Sequence, residues 1–112
     1  MGKFPRRGEI WLVEFPDDPK SRPALVISPE ARNEFATSVL AVPITTNLRP
    51  SPTHVPLPAG QGGLAHDSMA RCENVSYIHK SRITRGPLSK SISPALINEV
   101  ERCLLIALGI TA

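Results

Sequence analysis

The chain has 112 residues, 41% of them apolar and 21% charged, which suits one domain (1–112) with a single core and excludes a disordered chain. A net charge of +3 leans toward a polyanionic partner but falls short of a dense nucleic-acid patch. No apolar run approaches the ~20 residues of a membrane span, the N-terminus lacks a signal-peptide core, and Gly2 opens no myristoylation signal because Arg6 stands where Ser or Thr is needed; a cytoplasmic protein without membrane contact is expected.

Twelve prolines, about double the usual share, predict many short elements and stiff loops. Met1 to Arg7 is a basic, flexible lead-in. Gly8 to Phe15 forms the first strand, with Trp11, Val13 and Phe15 on one face and Ile10, Leu12 and Glu14 on the other. Pro16 to Ser21 is a turn. Its paired Asp17 and Asp18 lack a third ligand nearby and read as a solvated turn rather than a metal site.

The second strand is Ser21-Arg22-Pro23-Ala24-Leu25-Val26-Ile27-Ser28-Pro29, an apolar run between two prolines that reads as buried on both faces. Pro23 holds Arg22 extended and so fixes where its guanidinium leaves the sheet, making a candidate anion site at the strand mouth. Glu30 to Thr37 is a polar connection. Ser38 to Thr45 is a third strand, and Pro43 inside it marks an edge or a bulge. A bulge re-aims its neighbours, which draws attention to Thr45 and Thr46.

Asn47 to Gly63 is loop-rich, with a short strand-like piece at His54 to Leu57, and is long enough to suggest a functional flap. Ser68 to His79 is the longest strand candidate. Period two puts Met69, Arg71, Glu73, Val75 and Tyr77 on one face, so Arg71 and Glu73 stand side by side. Lys80 to Lys90 is basic and turn-rich, with a short strand near Ile83 and Leu88.

The last element is a helix, capped by Ser93, with Pro94 in its first turn and Gly109 at its stop. Leu96, Val100, Cys103, Leu104 and Ala107 line its apolar face, and Ile97, Leu105, Ile106 and Leu108 widen the stripe enough to serve a partner chain as well. If Leu104 is core, Leu104→Ala should cost ~2–5 kcal/mol. Cys72 and Cys103 have no metal-type spacing and read as reduced, buried thiols.

Strands first and one helix last indicate a compact α+β or barrel-like domain. The motif order resembles the MazF/PemK-like toxins: Arg7-Gly8-Glu9-Ile10-Trp11 opens the first strand, Arg22-Pro23 the second, and Val42-Pro43-Ile44-Thr45-Thr46 closes the third. Gly63-Leu64-Ala65-His66-Asp67-Ser68 then precedes the long strand, and an amphipathic helix ends the chain. The resemblance runs from about Arg7 to Gly109.

It implies a mainly β fold with a C-terminal helix, a small SH3-like β-barrel. It also implies a homodimer that cuts single-stranded RNA without metal or cofactor and is held inactive by a cognate antitoxin. The family's functional arginine falls on Arg22 and its threonine on Thr45. The Arg-Cys-Asp triplet of PemK-type members appears as Arg71-Cys72-Glu73. Lys20, Thr46, His54 and Asn74 are the expected RNA contacts. Many members carry a longer loop before the Arg-Pro motif, where this chain has only Pro16 to Ser21.

Metal-free RNA cleavage needs an activated 2′-hydroxyl, charge stabilisation at phosphorus and a protonated 5′-oxygen, giving 2′,3′-cyclic phosphate and 5′-hydroxyl ends. A bidentate guanidinium at Arg22 suits the phosphorane, Glu73 is the candidate general base with Arg71 keeping it ionised, and Thr45 offers a hydroxyl to the phosphate. His54, His66 and His79 read as surface or structural histidines, His54 being the first to test. One rival reading is a CcdB-like gyrase poison on the same fold, although the chain lacks that group's Trp-Gly-Ile ending. The other is a catalytically inactive RNA-binding relative.

Overall fold

Alternation along β1 (Ile10–Glu14), β2 (Ser21–Val26) and β3 (Ser38–Thr45) builds two apolar layers, one on each face of an antiparallel sheet. Ile10, Leu25, Val42 and Ile44 enter one layer, while Val13, Ala24, Val26, Val39 and Ala41 enter the other. The structure, a computed structural model, describes residues 4–111; Met1–Lys3, the start of the expected lead-in, and Ala112 lie outside the described residues. Arg7, the end of that lead-in, is tied down: its guanidinium donates to the Ile27 carbonyl and to Glu101.

The sheet runs β4-β5-β3-β2-β1-β7, with β4 at His54–Leu57, β5 at Ser68–Arg71 and β7 at Ile83–Arg85. β6 (Ser76–His79) pairs with the first half of β3. Among the described residues β4 and β7 end the order without meeting, so the barrel expected from the resemblance is an unclosed sheet. The C-terminal helix, α2 (Pro94–Ala107), begins as expected, with the Ser93 hydroxyl accepting from the Leu96 amide at 3.3 Å. Its Leu96, Ile97, Val100, Cys103 and Leu104 pack on the layer that holds Ile10 and Leu57.

Val100 is the fully buried residue of that face, and Leu104 is only half-buried. Leu57, wholly buried in the layer beneath α2, is therefore the better probe of the core. Leu57→Ala should lower the unfolding free energy by ~2–5 kcal/mol in urea titration, and Leu104→Ala by less.

Two elements differ from expectation. The polar connection at Glu30 to Thr37 contains a short helix, α1 (Glu30–Phe35). Its anchor is tertiary: the buried Asn33 amide donates to the Ser28 carbonyl at 2.9 Å, and the Ser28 hydroxyl donates back to Asn33. The Ser68–His79 strand is also broken. A 3₁₀ turn at Cys72–Asn74 separates β5 from β6.

Pro43 explains the break. The Leu40 amide and carbonyl both point to the β2 side of β3, bonding the Ser28 hydroxyl and the Ile27 amide just past the end of β2. Backbone groups alternate along a strand, so Pro43 turns its missing N–H toward β5 and β6. There the ladder passes from the Ala41–Ser76 pair to the Ile44–Ala70 pair, and Arg71–Val75 bulges out opposite Val42 and Pro43. The bulge is real, but it lies on the partner chain segment, and Pro43 sits on a central strand rather than an edge.

The Gly63–Ser68 motif is scaffold. Gly63 has φ +91° and lies so close to Leu88 that a β-carbon would come within 2.9 Å of its backbone. Asp67 accepts from the Ala59 amide at 2.9 Å, and Ser68 donates to the His66 carbonyl at 2.9 Å, which together set the entry to β5.

Candidate active site

The β2–β3 register aligns Ala24 with Pro43, so the start of β2 lies against the end of β3, bringing Arg22 level with Thr45. The bulge between β5 and β6 closes the same region from the other side. A cleft of about 1040 Å³ opens there, and Arg22, Thr45, Thr46, Arg71, Glu73 and Asn74 all line it. Lys20 and His54 do not. Lys20 is exposed on the loop before Arg22, and His54 lies behind Glu73. His66 and His79 are exposed and also absent from the lining.

Arg22 is aimed by a residue that sequence reasoning assigned to a solvated turn. Its Nε donates to Asp18 Oδ2 at 2.9 Å, and Asp18 Oδ1 accepts from the Lys20 amide at 3.0 Å. The Lys20 amide and then the Arg22 guanidinium hold the Asp18 carboxyl below its ordinary range. With Nε engaged, the two terminal nitrogens of Arg22 are left to grip a planar or phosphate-like anion. The four-residue Asp18–Arg22 spacing was the available signal.

Arg71 keeps its donors in reserve. Its Nε is 3.6 Å from Glu73 Oε2, close enough for an ion pair but too far for a hydrogen bond, and it has no other partner. Thr45 Oγ1 accepts from the Asn47 amide at 3.1 Å, which caps the strand end and leaves the hydroxyl proton for another acceptor.

Arg71 and Glu73 are neighbours, but not by strand alternation, since Glu73 sits on the 3₁₀ turn. The turn is held from below by the fully buried Cys72, whose amide donates to the Thr53 carbonyl at 2.9 Å. Burial, with the adjacent Cys103 and the Glu73 charge, pushes the Cys72 thiol up to about 12, so it is an anchor and not a nucleophile. Both Cys72 and Cys103 are free thiols.

Glu73 Oε1 accepts from the Thr53 hydroxyl at 2.8 Å, and Oε2 lies 3.0 Å from His54 Nε2. Burial works against its charge, but the bonds from His54 and Thr53 outweigh it and lower the carboxyl to about 2. Glu73 is therefore an anion at neutral pH. These contacts also revise the flap: the loop from Asn47 to Thr53 is fastened to the cleft wall through Thr53 and His54. Thr53 was missed, because only the β4–β5 pairing, which sets His54 opposite Arg71, brings it to Glu73.

Among the described residues, no group of three His, Cys, Asp or Glu side chains is arranged to hold a metal ion. No described helix is long and apolar enough to cross a membrane.

Residues 6–108 match the family model described as PemK-like, MazF-like toxin of type II toxin–antitoxin system. Endoribonuclease EndoA of Bacillus subtilis is 26% identical over 112 aligned residues, covering 94% of this chain and 95% of that protein. Endoribonuclease MazF3 of Mycobacterium tuberculosis is 35% identical over 83 residues, covering 72% of this chain and 80% of that protein. Among solved structures, an endoribonuclease in complex with its cognate antitoxin from a Mycobacterial species superposes with a TM-score of 0.83 at 27% identity, covering 96% of this chain and 98% of that one. A MazE–MazF crystal structure from Deinococcus radiodurans gives 0.81 at 25% identity, covering 96% and 98%.

Proposed function

The chain belongs to the PemK-like, MazF-like toxin family of type II toxin–antitoxin systems, and we propose that the cleft between β2, β3 and the Cys72–Asn74 turn is its RNA-cleaving site. The substrate is single-stranded RNA, and the reaction is metal-independent transesterification. Glu73 accepts the proton of a ribose 2′-hydroxyl; O2′ bonds to phosphorus and the P–O5′ bond breaks. The products are a 2′,3′-cyclic phosphate and a 5′-hydroxyl, O5′ taking up a proton as it leaves.

What supports this reading is one observation: the start of β2, the ends of β3 and β5 and the Cys72–Asn74 turn bring Arg22, Thr45, Arg71 and Glu73 to one cleft. The forked Arg22 side chain meets the charge that grows on the non-bridging oxygens, and the Thr45 hydroxyl donates to the same phosphate. A carboxyl at about 2 is a weak base in the empty cleft. A bound phosphate adds negative charge beside it, which raises its proton affinity. Thr46 and Asn74 line the cleft beside the reacting groups and serve as RNA contacts. Lys20, one loop residue away, contributes charge to the approach.

The rest of the assignment follows the family. A cognate antitoxin restrains the enzyme. A homodimer is its working form, for which the exposed Ile106, Leu108 and Ile110 supply apolar surface. The cytoplasm is its compartment, consistent with two free thiols. The gyrase-poison and inactive-relative alternatives are not favoured, since the curated relatives are endoribonucleases.

An RNA with one 2′-deoxyribose at the mapped cleavage position tests the nucleophile. It should bind as tightly as its all-ribose counterpart and remain uncut. Cleavage at that position would mean that water or another group attacks phosphorus.

A further inference from the structure

His54 is bonded at both ends of its ring. It opens β4 opposite Arg71, its side chain is 10% exposed, and it takes no part in lining the cleft. Nδ1 lies 2.9 Å from the Arg49 carbonyl oxygen and Nε2 lies 3.0 Å from Glu73 Oε2. Both partners are acceptors, and each faces one of the two ring nitrogens. The imidazole is thus a crosspiece between the β3–β4 loop and the carboxylate at the cleft wall.

We propose that His54 is a positioning residue for RNA cleavage: with Nδ1 anchored on Arg49, its Nε2 fixes the direction in which Glu73 presents its remaining lone pairs to the ribose 2′-hydroxyl. The proposal rests on the reading of the cleft as the RNA-cleaving site. It gives His54 a role through Glu73 in place of the expected RNA contact, since the ring bonds the carboxylate and takes no part in lining the cleft. Thr53 grips the other carboxylate oxygen, and its carbonyl holds the Cys72 amide, so turn and loop brace each other. Rotation of the Glu73 carboxylate is then opposed at one oxygen by Thr53 and at the other by His54. Misdirecting a reacting group by a fraction of an ångström weakens the transition state more than substrate binding.

Two substitutions separate this from a merely structural role. An Asn amide reaches the place of Nδ1, keeping the Arg49 anchor and losing the donor to Glu73. A Gln amide reaches the place of Nε2 and keeps that donor. His54→Asn should lower kcat by on the order of 10²-fold with KM nearly unchanged, while His54→Gln should recover most of that loss. Equal losses in both variants, a wild-type kcat in His54→Asn, or an effect confined to KM would each overturn the proposal.

Glu73→Gln, assayed alongside, separates the two levels. If it is inactive while His54→Asn is not impaired, the positioning role fails alone; if it cuts at the wild-type rate, the reading of the cleft fails and the proposal with it. Should His54→Asn not fold, the wild-type protein decides. Its Nε2–H proton should give a slowly exchanging, downfield NMR signal that moves in Glu73→Gln, and a freely exchanging ring would contradict the bond.

Discussion

Arg22→Ala is expected to slow RNA cleavage by ~10²–10³-fold, the usual loss when a preorganised donor to a developing oxyanion is removed. The fold should survive, because the Arg22 side chain is 53% exposed and its partner among the described residues is the surface carboxylate of Asp18. Exposed pairs of that kind add little to stability. Most of the effect should fall on kcat, since one phosphate contact among several contributes modestly to binding, whereas the phosphorane's charge is met chiefly here. Arg22→Lys should not restore activity. An ammonium offers a point charge, but it cannot hold Asp18 with one nitrogen and two phosphate oxygens with the others. Rates from single-turnover cleavage of one defined RNA, with circular dichroism as the fold control, check both variants.

Glu73→Gln should cost ~10²–10⁴-fold in kcat, the range for losing a positioned general base. The amide fills the same volume and can still accept from Thr53, so the turn should hold its shape. The pH dependence follows from the direction of the shift. Folding depresses the Glu73 carboxyl from its ordinary 4.5 to about 2. Its contribution to stability is therefore complete above the ordinary value and is lost as pH falls through about 2. For the same reason Glu73 should put no acid limb on kcat/KM between about pH 5 and 8, because that ratio reports the free enzyme. An acid limb in that window that vanished in Glu73→Gln would contradict the hydrogen bonds assigned to the carboxylate.

The parts of the fold that local sequence specifies were readable. Ile10 to Glu14, Ala24 to Val26 and Ser38 to Thr45 announce themselves by alternation and proline punctuation, and Ser93 and Pro94 mark the start of α2. What was not readable depends on groups far apart in the chain. The pattern from Met69 through Tyr77 is an unbroken strand by period, and it is interrupted opposite Pro43, on a different strand, where the Cys72 amide bonds Thr53 instead. Six-residue α1 has no periodicity to find, since the Asn33–Ser28 bonds hold it.

The site divides the same way. Arg22 and Thr45 were legible from their places at a strand mouth and a strand end. Arg71 and Glu73 were paired for the wrong reason: alternation predicts a shared face, and the structure supplies a turn instead. Thr53 and the true place of His54 needed the β4–β5 pairing, which no short motif encodes. The Asn47–Gly63 segment expected as a flap is fastened within its length, because Thr53 and His54 bond Glu73.

This cleft is expected to break RNA by attack of the neighbouring 2′-hydroxyl, with side chains alone supplying the chemistry. Long single-stranded RNA incubated with the purified protein in excess EDTA, followed by end-group analysis of the fragments, tests it most directly. Fragments bearing 2′,3′-cyclic phosphate and 5′-hydroxyl ends, formed at an undiminished rate, are the predicted result. Cleavage that stops in EDTA and returns with Mg²⁺, or fragments with 3′-hydroxyl and 5′-phosphate ends, would contradict it.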